Sequence, residues 1–258
     1  MTELTACIVA QNEEQNLPRA LASLLGVADE IVVVDGLSRD RTADVAREAG
    51  ARVILRAFTD HSDQKNFAAA QAGHDWILLL DADEELSAEL RSSIAAWKRE
   101  PPRDEVYEFS RRSQYLGRWI RYSGWYPDRV RRLYRRDRAQ FADRIHSALV
   151  YAGPVGRLPG DILHYPYRSA AHHRAKVETY TTVLAQQLFD QGQRRWIFPI
   201  LVGPPWAFVQ SFLLRAGFLD GAAGWRIACM AARYVFLKYG KLGALVRNSS
   251  RAQRRGAS

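Results

Sequence analysis

The chain has 258 residues, enough for one sizeable core with or without an appendage. Hydrophobic residues make up 47% and charged residues 25%, which excludes a disordered chain, and a net charge of +9 admits nucleic acid, an anionic membrane face or phosphate-bearing molecules as partners. The cysteines, Cys7 and Cys229, lie too far apart in sequence to suggest a disulfide framework or a zinc site. No basic-then-apolar leader precedes the first strand-like run, so a cytoplasmic location is expected.

Residues 4–10 read as a strand and 16–25 as a helix, with Leu17, Leu21, Leu24 and Leu25 on one side. Residues 31–34 form a second strand, β-branched throughout, and 40–49 a helix closed by Gly50. A third strand follows at 52–55, then a helix capped by Ser62 and running to Ala72, then a fourth strand at 76–80. Near-continuous apolar strands separated by helices predict a parallel sheet covered on both faces.

Ligands of such sheets bind outside the carboxyl ends of the strands. Those ends carry Gln11, Asn12 and Glu13 after the first strand, Asp35, Gly36 and Ser38 after the second, and Asp81 and Asp83 after the fourth. Two carboxylates separated by one small residue can hold a divalent cation against a diphosphate. Taken alone, the same pair also suits the start of a helix, and Ser38 or Asp40 also suits a cap or turn. Neither a dinucleotide fingerprint nor a P-loop occurs, so a diphosphate here would need a metal or cationic side chains.

From Ser87 the chain reads as a further helix with Leu90, Ile94 and Trp97 on one face, broken at Pro101 and Pro102. An aromatic, arginine-rich region follows to about Tyr167, in which 106–109 and 130–134 alternate like antiparallel strands. Residues 172–191 read as a helix. Residues 196–214 carry no charge between Arg195 and Arg215, and Pro199, Pro204 and Pro205 predict an interfacial or re-entrant segment rather than a simple span. An amphipathic helix follows at 225–241, its stripe of Arg226, Arg233 and Lys241 pointing to an anionic membrane surface. The basic tail 247–258 is expected to be disordered.

The segments Ile8-Val9-Ala10-Gln11-Asn12-Glu13-Glu14, Val33-Val34-Asp35-Gly36-Leu37-Ser38-Arg39-Asp40-Arg41-Thr42 and Leu80-Asp81-Ala82-Asp83-Glu84, with Gln64-Lys65-Asn66-Phe67-Ala68, resemble glycosyltransferase family 2. Later segments, Val130-Arg131-Arg132-Leu133-Tyr134, Leu163-His164-Tyr165 and Gly217-Phe218-Leu219-Asp220-Gly221, are most similar to bacterial lipopolysaccharide core β-glucosyltransferases within it. The resemblance spans almost the whole chain. One departure is His146-Ser147, where the subgroup usually carries His-Glu.

The resemblance implies an α/β GT-A fold, Rossmann-like, with a mainly parallel sheet, helices on both faces and a C-terminal helical membrane-associated region. It implies a catalytic domain at 1–168, with a nucleotide-sugar half at 1–100 and an acceptor half at 101–168, then helices at 169–246. It also implies an inverting transfer of a sugar, glucose by subgroup, from a UDP-sugar to a lipopolysaccharide core or other lipid-linked, phosphorylated glycan at the cytoplasmic face of the bacterial inner membrane. A polyprenyl-phosphate acceptor is the alternative. Ala10, Asn12, Glu13, Asp35, Ser38, Lys65 and Asp81 would line the nucleotide-sugar site, and Asp83 with Asp81 would hold Mg²⁺ or Mn²⁺. The base that takes the acceptor proton stays open among Asp128, in a turn with Tyr126 and Pro127, Asp143 and His146. The arginines from Arg129 to Arg138 are candidates for binding a phosphorylated acceptor.

Two rivals fit less well. A nucleotidyltransferase would carry a Gly-rich loop where Gln11-Asn12-Glu13-Glu14 stands. A nucleic-acid-binding protein would leave acidic strand tips facing phosphate, so nucleic acid is not expected as a partner.

Overall fold

The computed structural model describes residues 1–142 and 148–255. The chain forms two compact units. The first is Met1–Arg112 with Pro127–Tyr165, and the second is Ser113–Tyr126 with Pro166–Ser258. A hairpin from the middle of the chain therefore belongs with the C-terminal helices, where the sequence suggested one continuous segment to residue 168.

In the first unit β1 (Leu4–Ala10), α1 (Leu17–Leu24), β2 (Glu30–Asp35), α2 (Thr42–Glu48), β3 (Arg52–Leu55), α3 (His61–Ala70) and β4 (Trp76–Asp81) follow the expected alternation. The helix expected from Ser62 is capped by Asp60 instead, whose side chain accepts the Asp63 backbone N–H. Next come β5 (Glu84–Leu86), α4 (Ala88–Trp97), β6 (Val106–Tyr115), β7 (Arg118–Trp119), β8 (Asp128–Arg135), β9 (Ala139–Ala142), β10 (Ala148–Tyr151) and β11 (Gly156–His164). Ser87 caps α4, accepting from the Leu90 N–H at 3.2 Å.

The sheet runs β3-β2-β1-β4-β8-β6-β11-β5. The pairs β3–β2, β2–β1 and β1–β4 are parallel, and β4–β8, β8–β6 and β11–β5 are antiparallel. The parallel half is thus continued by the strands that the alternation at 106–109 and 130–134 foretold. Pleat alternation divides β1 between two cores. Leu4, Ala6 and Ile8 pack with Leu17, Leu21 and Leu24 of α1 and with Leu90 and Ile94 of α4. Cys7 packs with Val32, Val34, Ile77 and Leu79 and with Ala68 and Ala69 of α3. The spacing of Leu17, Leu21 and Leu24 puts all three on one face of α1. Each such burial contributes about 1.5–3 kcal/mol.

The second unit holds the end of β6 paired with β7, together with α5 (Ala170–Asp190), α6 (Ile197–Val209) and α7 (Ala222–Arg255). Asp220 is buried and ties the hairpin down, accepting the Arg121 and Tyr122 N–H groups at 3.2 and 3.0 Å. A Cβ at Gly224 would collide with the Gly217 carbonyl, so only glycine lets the first turn of α7 approach so closely. The prolines do not interrupt the apolar segment as expected. Pro204 and Pro205 lie inside α6, which passes into a π-turn at Gln210–Leu214. α7 also continues through Arg255, where the sequence led to the expectation of a disordered tail from Arg247.

Candidate active site at the strand tips

Register fixes where the tips stand. Ala10 pairs with Asp35, and Val9 with Asp81. Asp35 and Asp81 therefore end parallel strands at the same edge with β1 between them, two strand spacings or about 10 Å apart. Because Ala10 and Val9 alternate across the pleat, the two carboxylates leave the sheet on opposite faces. Asp35 thus meets the loop after β2, and Asp81 meets α3.

Asp35 is 1% exposed. Its Oδ2 accepts the Ser38 backbone N–H at 2.9 Å, and its Oδ1 accepts the Ser38 hydroxyl. Ser38 Oγ accepts the Asn12 N–H at 2.8 Å, and Asn12 Oδ1 accepts the Arg39 N–H at 2.9 Å. Asn12 sits at φ 56°, the left-handed region that asparagine tolerates best among side-chain-bearing residues. The Glu13 N–H donates to Thr42 Oγ1 at 2.8 Å, and Glu13 Oε2 accepts from Asn16 at 2.7 Å. The structure thus brings Ala10, Asn12, Glu13, Asp35 and Ser38 into one cradle.

Asp81 is placed differently from the expectation of a metal ligand. Lys65 Nζ lies 3.2 Å from its Oδ1, and Arg132 Nη2 lies 2.5 Å from its Oδ2. Burial opposes its charge, but Arg132 first and Lys65 second hold the carboxyl well below the usual range. Burial in turn pulls the Lys65 ammonium below the ordinary lysine value, against the attraction of Asp81. Both carboxylate oxygens of Asp81 already face a cation, so Asp81 does not fit as a metal ligand. Lys65, which the sequence left equally readable as a solvated lysine, is buried.

Arg132 Nη2 also reaches Glu84 Oε1 at 3.0 Å, and Arg111 Nη1 reaches the same oxygen at 3.0 Å. Arg111 then grips Asp128 Oδ2 through Nε and Nη2 at 2.9 and 2.6 Å. Asp128 opens β8 rather than occupying the expected turn, and its carboxylate ends this chain of alternating charges. Asp143 and His146, the other candidate bases, lie outside the described residues. Sequence reasoning missed Glu84 and Arg111, and it offered Arg132 only within the run of candidate acceptor-binding arginines. The pairing of β4 with β8 brings Arg132 toward Asp81 from fifty residues away, and no local spacing signals it.

Asp83 has the partner the sequence reading missed. His164 Nε2, at the end of β11, lies 3.5 Å from Asp83 Oδ2, and Asp83 C=O accepts the Tyr165 N–H at 2.9 Å. The register His164↔Glu84 between β11 and β5 sets this approach. Two ligands about 2.1 Å from one cation at right angles stand about 3 Å apart, so this pair fits a shared divalent ion, with the remaining positions left to water or phosphate. Among the described residues no cluster of three or more acidic, histidine or cysteine side chains could hold a metal alone.

Beside Asp81 opens a cavity of about 320 Å³, lined by Lys65, Arg111, Arg129, Arg131, Arg132 and Phe141 among others. The run of arginines is less available than expected. Arg135 pairs with Asp137, Arg136 with Asp75 and Arg138 with Glu105. Arg129 lies 3.7 Å from Glu108, and Arg131 stacks over Tyr151. Arg129 and Arg131 are the members of the 129–138 run that line the cavity beside Arg132.

A sheet covered on both faces, with carboxylates at the parallel strand tips and cations returned to them by antiparallel strands, gathers its polar groups where open α/β sheets bind ligands. Residues 5–152 match Glycosyl transferase family 2, and the chain belongs to that family. It is a glycosyltransferase with a mixed sheet of GT-A type. It is 30% identical to an uncharacterized glycosyltransferase of Rickettsia typhi over 95% of this chain and 88% of that one. It is 29% identical to the lipopolysaccharide core biosynthesis glycosyltransferase LpsC of Rhizobium meliloti, over 93% of this chain and 91% of LpsC. The crystal structure of S. aureus TarS 1-349 in complex with UDP-GlcNAc aligns over 97% of this chain and 92% of its own at 15% identity and a TM-score of 0.49.

Proposed function

We propose that the chain transfers a hexose, glucose by its subgroup resemblance, from a UDP-sugar to the phosphorylated inner core of a lipopolysaccharide, at the cytoplasmic face of the inner membrane. The observation that carries this reading is the joint presence, at one sheet edge, of the Asp35–Ser38–Asn12 cradle and the Asp83–His164 pair. The name of LpsC supports the acceptor class.

In this reading Asp35 and Ser38 receive the nucleoside, and Asp83 and His164 hold Mg²⁺ or Mn²⁺. The cation, when bound, offsets charge on the departing diphosphate. Lys65 and Arg132 add fixed positive charge beside it. They are preorganised by Asp81, so they need no rearrangement as negative charge develops. The acceptor oxygen forms its bond to the anomeric carbon as the bond from that carbon to UDP breaks, and the acceptor proton passes to a base on the opposite side. Asp128 remains a candidate base among the described residues, with Arg111 fixing its orientation. Arg129 and Arg131 are placed to meet acceptor phosphate.

Membrane association rests on α6. The segment Ile197–Leu214 is 18 residues long with mean hydropathy 1.6 and is 6% buried, and its Phe198 and Leu201 are 73% and 68% exposed. The basic stripe of α7 contributes less than the sequence suggested. Arg233 and Lys241 both pair with Glu178 of α5, at 2.9 and 3.0 Å.

The test is incubation with UDP-glucose and Mn²⁺ against lipopolysaccharide truncated at the inner core, the same material dephosphorylated, and a polyprenyl phosphate. The reading expects one hexose added to the phosphorylated core. Transfer to the polyprenyl phosphate alone would replace the acceptor, and no transfer from any UDP-sugar would overturn the reading.

A further inference from the structure

The C-terminal unit contains a second cavity of about 450 Å³, walled by α5, the end of α6 with its π-turn, and α7, and reaching hairpin residues 123–125. That volume lies within the range of about 300–1,000 Å³ usual for small-molecule sites. Ile227, Met230, Tyr234 and Tyr180 give it an apolar and aromatic wall. Lys176 and Arg215 add positive charge, and no carboxylate lines it.

Two hydroxyls in this wall lack partners. Ser123 and Ser211 are 3% and 7% exposed, and the Oγ of each is buried without a hydrogen bond. An unpartnered hydroxyl in a low-dielectric site is unfavourable until an acceptor arrives. Among the described residues neither Lys176 nor Arg215 is ion-paired. Lys176 Nζ donates to the Pro166 carbonyl at 3.0 Å. Arg215 is held by its backbone, whose carbonyl accepts the Ser123 N–H at 2.9 Å, and a Cβ at Gly124 would strike its guanidinium. Cations with no carboxylate partner and unpartnered hydroxyls beside a hydrocarbon wall call for acceptor oxygens on an apolar body. The helix that supplies Ala207 and Gln210 to the cavity also presents the exposed apolar face of Phe198, Leu201 and Trp206.

We propose that this cavity binds a membrane phospholipid. Its phosphate oxygens would meet Lys176, Arg215, Ser123 and Ser211, and the adjoining chain would lie against Ile227, Met230 and Tyr234. The source of the ligand rests on the membrane reading above, but the test does not need a membrane.

The full chain is titrated in a calorimeter with short-chain dihexanoyl phosphatidic acid below its aggregation limit, with inorganic phosphate and with uncharged dihexanoylglycerol. Saturable one-to-one binding of the phosphatidic acid is expected, at least about tenfold tighter than either control. Arg215→Gln and Ser211→Ala should each weaken it roughly fivefold or more. Ala231→Trp, which fills the cavity, should abolish it. Melting curves and retained UDP binding show that each variant is folded, and Arg215→Gln carries the test if Ala231→Trp is not. Equal binding of dihexanoylglycerol, equal binding of inorganic phosphate, or undiminished binding by folded Ala231→Trp and Arg215→Gln would overturn the proposal. Phosphatidic acid binding by a chain that fails to sediment with vesicles would support this site and fault the membrane reading alone.

Discussion

Arg132 Nη2 lies 2.5 Å from Asp81 Oδ2, joining the return strand β8 to the tip of β4. The same nitrogen reaches the fully buried Glu84, so one guanidinium is shared between two carboxylates. Arg132→Gln would leave Asp81 with Lys65 alone and Glu84 with Arg111 alone. Removing one partner of a buried pair costs about 3–5 kcal/mol, and the partial exposure of Asp81 places the expected loss near the lower end. Urea unfolding is the check. Adding Glu84→Gln to Arg132→Gln should recover part of the loss, because the two sites share one contact. Wild-type stability in Arg132→Gln would show that the network is incidental.

Asp35 and Ser38 predict a separate defect. Asp35 accepts both the backbone and the hydroxyl hydrogen of Ser38, and the hydroxyl in turn holds Asn12. Asp35→Ala removes a charged acceptor that holds both loops, a change of about 1.5–3 kcal/mol for hydrogen bonds to a charged group. UDP affinity should fall roughly 10- to 100-fold while the far-ultraviolet spectrum stays native. The thermal shift on adding UDP measures it, and an unchanged shift would remove Asp35 from the nucleoside site.

The sequence carried the parallel half of the fold well, because each strand there is a short continuous apolar run bounded by helix stops such as Gly50. It also carried the identity of the tip residues, since strand ends in a parallel sheet are where ligands bind. It did not carry their partners. Arg132, Arg111 and His164 reach the tips through antiparallel pairing across long separations, and pairing register is not written in local periodicity. Asp81 is a poorer fit for the metal role expected of it, because Lys65 from α3 and Arg132 from β8 face both its oxygens. The pairing of Arg233 and Lys241 was not legible in α7, because their partner Glu178 lies on a different helix, α5.

His173 supplies a pH dependence. It is buried, its Nδ1 lies 3.1 Å from the Tyr115 hydroxyl, and it stacks on Tyr167. Burial, then the nearby charges of His172 and Lys176, push its pKa down to about 4. The folded value lies below the unfolded one of about 6.5, so its stability contribution is complete above that pH and is lost as pH falls toward 4. Melting temperature should therefore fall across this window, and His173→Gln should flatten the slope. An unaltered slope in the variant would assign the acid sensitivity elsewhere.

The apolar face of α6 predicts membrane behaviour. Phe198→Ser with Leu201→Ser, both strongly exposed, should move the chain from the vesicle-bound to the free fraction in co-sedimentation with anionic vesicles. High salt alone should release little of the wild type, since two of the three stripe cations are engaged within the protein. Complete release of the wild type by salt would instead make the attachment electrostatic.

Calorimetric titration of UDP with and without Mn²⁺, on the wild type, Asp83→Ala and His164→Ala, tests the site most directly. The account predicts that Mn²⁺ tightens UDP binding in the wild type, and that each substitution removes at least about tenfold of that gain. The double variant should be little worse than either single one, because the two side chains share one ion. Equal UDP affinity in Mn²⁺ and in EDTA, or a full manganese effect without Asp83 and His164, would contradict it.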